Sequence, residues 1–229
     1  RPVYWLQTTL GYGKNFIGDG YRSLILSDNA FAYPYLKLTG NVWNIQYSCY
    51  YTQMTDKNRV LDDDTFARKN IVIHYIDWAV TKRLNLGLFD AIVCKGQDEN
   101  GVRRGLDFQY INPIIFLRTT DYYVGTSPDN AILGAAASYI LGKHTTLYAQ
   151  FVLDEMTVKK FIAFKGYLAN KQSYQFGVKS FNCFNVKTFS YNVNSISSDL
   201  ICIHIGAEKA IMVTTTSRSL ILGVAISTK

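Results

Sequence analysis

The sequence predicts an all-β chain: an antiparallel up-and-down sheet of about ten strands, forming an incomplete part of a transmembrane outer-membrane β-barrel. Composition is the first ground. Seventeen Tyr, thirteen Phe and three Trp among 229 residues, with only 18% charged, suit strands with a wide amphipathic surface better than a helical bundle. Apolar and polar residues alternate over membrane-strand lengths, which is the second ground. The third is the shortness of the longest apolar runs, Ala131–Ala137 and Ser219–Ile226. A transmembrane helix needs roughly 18–20 apolar residues, whereas a barrel strand needs only about 9–11.

Residues 3–10 and 34–40 give the first strand candidates. The clearest is 42–53, where Trp43, Ile45, Tyr47, Cys49 and Tyr51 fall on one face and Asn44, Gln46, Ser48, Tyr50 and Thr52 on the other. Candidates at 70–82, 84–94, 106–117 and 131–141 follow. Alternation is clean again at 144–154, with Leu147, Ala149, Phe151 and Leu153 opposing Thr146, Tyr148, Gln150 and Asp154, and at 173–179, with Tyr174, Phe176 and Val178 against Gln175 and Lys179. A last candidate lies at 186–193. Thr39-Gly40-Asn41, Arg83-Leu84-Asn85 and Gly142-Lys143 supply turn chemistry between them.

Three stretches break the strand rhythm and are expected to be functional or plugging loops: 11–33, 55–69 and 118–130. Trp5, Tyr12, Tyr33, Tyr35, Tyr50, Tyr51, Trp78, Tyr122 and Tyr123 lie near strand ends, where they suit the interfacial girdles of a barrel. The same aromatics suit the core of a soluble β-sandwich, because half-buried strands of both kinds alternate alike.

The net charge of +7 favours acidic polymers or anionic surfaces, but Lys and Arg are scattered and give no nucleic-acid signal. Cys49, Cys94, Cys183 and Cys202 lack any metal or redox spacing and read as unpaired thiols. The chain opens Arg1-Pro2-Val3-Tyr4 without Met or an apolar leader, which is expected of a processed protein or fragment.

No catalytic, metal or cofactor pattern is found in the sequence. The Gly11–Gly20 stretch lacks phosphate-loop spacing, His74, His144 and His204 are isolated, and no nucleophile elbow occurs. Asp62-Asp63-Asp64 before Thr65 reads as a solvated turn, with calcium chelation or the cap of a short helix at 64–69 as alternatives. Asp28-Asn29 and Asp129-Asn130 recur, each preceding a strand-like segment, and self-bonded turns explain them. The functional alternative is sugar binding, with amide and carboxylate groups gripping hydroxyls beside the rings of Tyr33, Tyr35 or Tyr122. Lys14, Arg22, Arg103 and Arg104 are candidate contacts to an acidic glycan, or solvated loop charges. A glycoside-cleaving site would need facing carboxylates, for which Asp107 with Asp121 and Asp154 with Glu155 are the pairs at hand.

The runs 15–24 (NFIGDGYRSL), 26–30 (LSDNA), 105–113 (GLDFQYINP), 127–131 (SPDNA) and 147–155 (LYAQFVLDE), in this order, resemble the RemB-type gliding-motility proteins of Bacteroidetes, which are similar to the capsule-assembly Wzi outer-membrane barrels. The resemblance covers about residues 5–190. It implies a barrel at the surface of a Gram-negative cell, in contact with outer-membrane lipid. It further implies a role in gliding motility or surface-polysaccharide attachment, alongside gliding-machinery proteins, without enzymatic activity and without catalytic residues to carry over. A general diffusion porin and a soluble β-rich glycan-binding domain are the alternatives.

The resemblance fades after about Phe189, and no aromatic follows Tyr191. The expected organisation is therefore a partial barrel domain at 1–189 and an atypical tail at 190–229. Codons allowed by Ile196–Gly206 and Met212–Leu222, read in a shifted frame, can spell family-like sequence, which predicts that the tail is out-of-frame translation. Sequencing the source DNA checks this: an uninterrupted family-like frame is expected, and its absence refutes the prediction.

Overall fold

In the computed structural model of the chain, residues 5–20, 22–29, 31–60, 66–94, 96, 108–112, 129–154, 171–181, 189–199 and 219–226 are described. They form one antiparallel sheet of ten strands in chain order. The strands are β1 (Leu6–Gly13), β2 (Tyr33–Val42), β3 (Ile45–Val60), β4 (Phe66–Ala79), β5 (Leu84–Cys94), β6 (Asn130–Leu141), β7 (Thr145–Asp154), β8 (Lys171–Phe181), β9 (Phe189–Asp199) and β10 (Ser219–Ile226). Each pairs only with its sequence neighbours, and among the described residues nothing joins β10 to β1, so the sheet is open rather than closed into a barrel. The all-β, up-and-down architecture is as the sequence predicts.

Three expectations are corrected. The 106–117 strand is replaced, in its described part, by a turn of 3-10 helix at Phe108–Ile111. Pro113 follows directly after Asn112 and cannot donate to a ladder. The 55–69 loop is largely strand: β3 and β4 continue as a ladder through Thr55↔Arg68 and Asp56↔Ala67 to a bulge before Val60↔Phe66. The extension is held by its backbone ladder and by polar contacts such as Arg68 Nη1 to Gln53 Oε1 at 3.4 Å, to which hydrophobic alternation is blind. The 11–33 loop shrinks at both ends, because β1 runs to Gly13 and β2 starts at Tyr33. The tail contributes β9 and β10, which continue the meander.

Connections differ in length between the two ends. At one end of the sheet β2–β3, β4–β5, β6–β7 and β8–β9 are joined by residues 43–44, 80–83, 142–144 and 182–188, while at the other end β1–β2, β5–β6, β7–β8 and β9–β10 are joined through 14–32, 95–129, 155–170 and 200–218, with β3–β4 the short exception at 61–65. The tight β2–β3 turn places Trp43 at φ 53° and leaves it 97% exposed, and Gly142 takes φ 71° in the β6–β7 turn. Two- and three-residue hairpin loops both favour a left-handed position, which lets the turn match the twist of the strands.

The two faces of the sheet differ. Strand register puts Tyr33, Tyr50, Thr52, Ile71, Ile73, Phe89, Ala91, Ile132, Gln150, Val152 and Gln175 on one face. Segment 14–32 lies against it and contributes Ile17, Ile25 and Leu26 to the principal core. The opposite face carries Leu10, Leu36, Ile45, Trp78, Leu88, Leu141, Leu147, Tyr174 and Phe176, by the same register. Among the described residues no second sheet or helix layer spans it. Leu10 is 83% and Phe176 60% exposed. The face assignments expected for 45–52, 146–153 and 174–179 hold. Tyr33 and Tyr50, expected at an interfacial girdle, instead point to the covered face and are buried.

Tyrosines lie over glycines of neighbouring strands on the covered face. Tyr148 covers Gly177, which sits directly opposite, and Tyr75 and Tyr35 stand likewise over Gly87 and Gly11. A Cβ on Gly177 would enter the Tyr148 ring. Gly177→Val is therefore expected to cost about 1–3 kcal/mol, with part of the loss recovered in the double variant with Tyr148→Ala. Urea unfolding of the sheet signal measures both.

Candidate functional site

The site is built where segment 14–32 docks on β7 and β8. Gln150 and Gln175 face each other across these strands, and both are buried. The Gln150 Oε1 accepts the Leu24 N–H at 2.8 Å and lies 3.2 Å from Ser23 Oγ. The Gln175 Oε1 accepts the same N–H at 2.9 Å, and its Nε2 donates to the Arg22 carbonyl at 2.6 Å. Two strand amides thus replace the ladder that a strand at 22–24 would have had, because a buried backbone group left without a partner is costly.

Ser23 closes the segment on itself. Its hydroxyl donates to the Ile17 carbonyl, its oxygen accepts from Ile25 N–H at 3.2 Å, and an isolated bridge joins Ile17 N–H to the Leu26 carbonyl at 2.9 Å. Gly18 is required here: at φ 152° its Cβ would stand 2.7 Å from Ser23 Oγ and 2.6 Å from the Gln150 amide nitrogen. The segment reaches toward the short-turn end, where Lys179 Nζ meets Asp19 Oδ1 at 2.6 Å and donates to the Asp19 carbonyl at 3.1 Å. Both groups are partly exposed, so the pair contributes about 0–1 kcal/mol and mainly sets position.

The residues singled out from the sequence fall in several places. Asp28 and Asn29 sit exposed in a turn of the docked segment, where the Asn29 N–H reaches Ser27 Oγ at 3.4 Å. The Arg22 side chain is exposed while its carbonyl anchors Gln175. Tyr33 is 3% exposed, with its ring 6.3 Å from Tyr35 in an edge-on arrangement and its hydroxyl 3.4 Å from Asn15 Nδ2. It packs in the core and offers no open stacking face. Asp129 accepts the Tyr110 hydroxyl at 3.0 Å, and Asn130 begins β6 opposite Val93. Tyr122, Arg103 and Arg104 lie outside the described residues, as do Asp107, Asp121 and Glu155.

Sequence reasoning passed over Gln150, Gln175, Ser23 and Asp19. The usable signal was that both glutamines occupy the polar phase of the two most regular strands.

Polar groups interrupt the bare face at Gln53, Arg68 and Asn70, at Thr145 and Ser180, and around His74. His74 lies opposite both Cys49 and Asp90 in the register, Tyr47 Oη stands 2.6 Å from His74 Nδ1, and the Tyr47 and His74 rings are stacked. Tyr110 packs beside Cys49, Val72, Ile92 and Cys94, and the Tyr51 hydroxyl donates to the Ile111 carbonyl at 2.7 Å. Segment 108–111 therefore straps this face toward the long-connection end. Below it, β6 presents Leu133, Ala135, Ala137, Tyr139 and Leu141, which span about 27 Å of strand.

No protein-family model, curated protein or solved structure matches the chain.

Replacing both Gln150 and Gln175 with Leu leaves the Leu24 N–H and the Arg22 carbonyl without their side-chain partners. About 1–3 kcal/mol is expected to be lost for each group. Tryptic cleavage after Arg22 should accelerate while sheet content is retained, and peptide mapping over time measures it.

Proposed function

We propose that the chain is part of an outer-membrane β-barrel, a non-enzymatic surface protein of a Gram-negative cell that supports gliding motility or holds surface polysaccharide. The observation that carries the proposal is the bare face: among the described residues it is a largely apolar surface, interrupted by polar groups around His74 and covered only by the strap at 108–111, while the chain folds its own segment against the other face. Hydrocarbon is the surrounding in which that face is stable, since apolar patches of this extent are rare on soluble monomers. The bias toward short turns at one end and, β3–β4 apart, long connections at the other supports the same proposal, because outer-membrane barrels keep short turns on one side of the membrane and long loops on the other.

Docking of 14–32 favours a surface-binding role over a general porin, whose lumen must stay open and wet. Asp28, Asn29 and the Arg22 side chain are exposed on the docked segment and supply the carboxylate, amide and guanidinium that polysaccharide hydroxyls and acidic groups would meet. The gliding and polysaccharide roles themselves rest on the resemblance in the sequence.

Two measurements test the proposal. Reconstituted in vesicles of brominated phosphatidylcholine, the chain is expected to show strong quenching of Trp78, which lies on the bare face; unquenched fluorescence overturns membrane insertion. In polysaccharide retention by the same vesicles, Arg22→Ala with Asp28→Ala is expected to weaken binding about tenfold, the equivalent of about 1.4 kcal/mol. Unchanged retention removes the glycan role.

A further inference from the structure

The bare face is not uniformly convex. On β5 to β8 it holds a groove of about 470 Å³, lined almost wholly by apolar atoms, within the roughly 300–1,000 Å³ of small-molecule sites. Its floor is formed by Ala137 and Ala149, which stand directly opposite each other. Leu84, Tyr139 and Leu147 wall it toward the short-turn end, and Phe176 walls it on β8. Small residues on two adjacent strands flanked by large ones leave a trough whose shape suits a flexible alkyl chain.

The rim beside this trough is cationic. Lys82 and Arg83 occupy the β4–β5 turn and Lys143 the β6–β7 turn; all three are exposed, neither turn contains a carboxylate, and no side-chain partner is found for them among the described residues. The β4–β5 turn is tied to the end of β6, just before the β6–β7 turn, since the Ile140 N–H donates to the Arg83 carbonyl at 2.8 Å. The first is further ordered by Thr81 Oγ1, which accepts the N–H groups of Arg83 at 3.2 Å and Leu84 at 2.9 Å. Arg83 immediately precedes Leu84 of the trough wall, and Lys143 lies between the strands that carry Tyr139 and Leu147.

From this pairing of apolar trough and unpaired cations we infer that the groove is a binding site for one anionic phospholipid. Its acyl chain lies over Ala137 and Ala149, and its phosphate is held by Arg83 and Lys143. Charge complementarity selects this occupant: guanidinium and ammonium groups at a membrane surface favour anionic headgroups, and a second copy of the chain would bring the same positive charge to the rim. The inference rests on the membrane placement proposed above.

The test uses the full chain in vesicles of phosphatidylcholine containing one-tenth phosphatidylglycerol. Insertion is first established by bromolipid quenching, and the lipids retained after detergent extraction are then counted by native mass spectrometry. One phosphatidylglycerol per chain is expected, retained about tenfold over phosphatidylcholine. Ala149→Trp, which fills the trough, is expected to insert equally and lose retention about tenfold. Arg83→Glu with Lys143→Glu should insert, keep a lipid and lose the preference for the anionic one. Inserted protein that shows no phosphatidylglycerol preference, or that retains lipid unchanged in Ala149→Trp, overturns the site while leaving membrane placement intact. A dimer that Ala149→Trp disperses overturns it in favour of self-association. Failure of the wild-type chain to insert refutes both.

Discussion

A sheet one layer thick must find a different surrounding for each of its faces, and the rest of this structure depends on that constraint. Period-two alternation underlies the difference: along β7 and β8 Thr146, Tyr148, Gln150, Gln175 and Lys179 alternate with Leu147, Ala149, Phe151, Leu153, Tyr174, Phe176 and Val178, and the pleat sends the two sets to opposite sides. The polar side is answered from within the chain, by Ile17, Ile25 and Leu26 packed on Phe89, Ala91 and Val152, and by Gln150 and Gln175 holding the backbone of Arg22 and Leu24. Among the described residues, the oily side receives only the short strap at 108–111. Its apolar surface represents free energy that folding alone does not collect, at roughly 25 cal/mol for each Å² left in water.

The docked segment is consequently more than a loop. Its contacts run from Tyr33 at the start of β2 to Lys179 near the far end of β8, so it crosses nearly the whole sheet. It has little regular hydrogen bonding of its own beyond the Ile17–Leu26 bridge, and its order depends on glutamines that belong to strands more than a hundred residues away. Displacement of the segment would open the polar face without unpairing any strand. The sheet and its filling are thus energetically separable in a way that a two-layer sandwich is not.

Much of the fold was legible because it is local. The phase of 45–52, 146–153 and 174–179 follows from two-residue periodicity alone, and 11–33 was recognisable as a loop or plugging stretch because alternation stops there, although its ends belong to β1 and β2. What escaped was non-local. The 3-10 turn at Phe108–Ile111 depends on Tyr110 reaching Asp129 and on Tyr51 reaching the Ile111 carbonyl, contacts with no echo in the local pattern. The β3–β4 extension past Thr55 is held by its ladder, to which a hydrophobicity pattern is blind. Tyr33 looked like a stacking surface because it neighbours Asp28 and Asn29 in sequence, yet as the first residue of β2 its ring turns into the core. Gln150 and Gln175 were visible as polar positions, but a partner amide on a distant segment leaves no trace in either strand.

Trp43 offers a last consequence. A bulky L-residue in the left-handed region costs about 1–2 kcal/mol relative to right-handed backbone, and glycine or asparagine would relieve it at the tip of the β2–β3 hairpin. The indole there touches almost nothing of its own protein. In a bilayer an indole at that height would rest among headgroups and carbonyls, the zone that tryptophan prefers. Backbone strain at one residue would then be exchanged for a fixed immersion depth, and the hairpin tip would act as a float that keeps the sheet from sliding along the membrane normal.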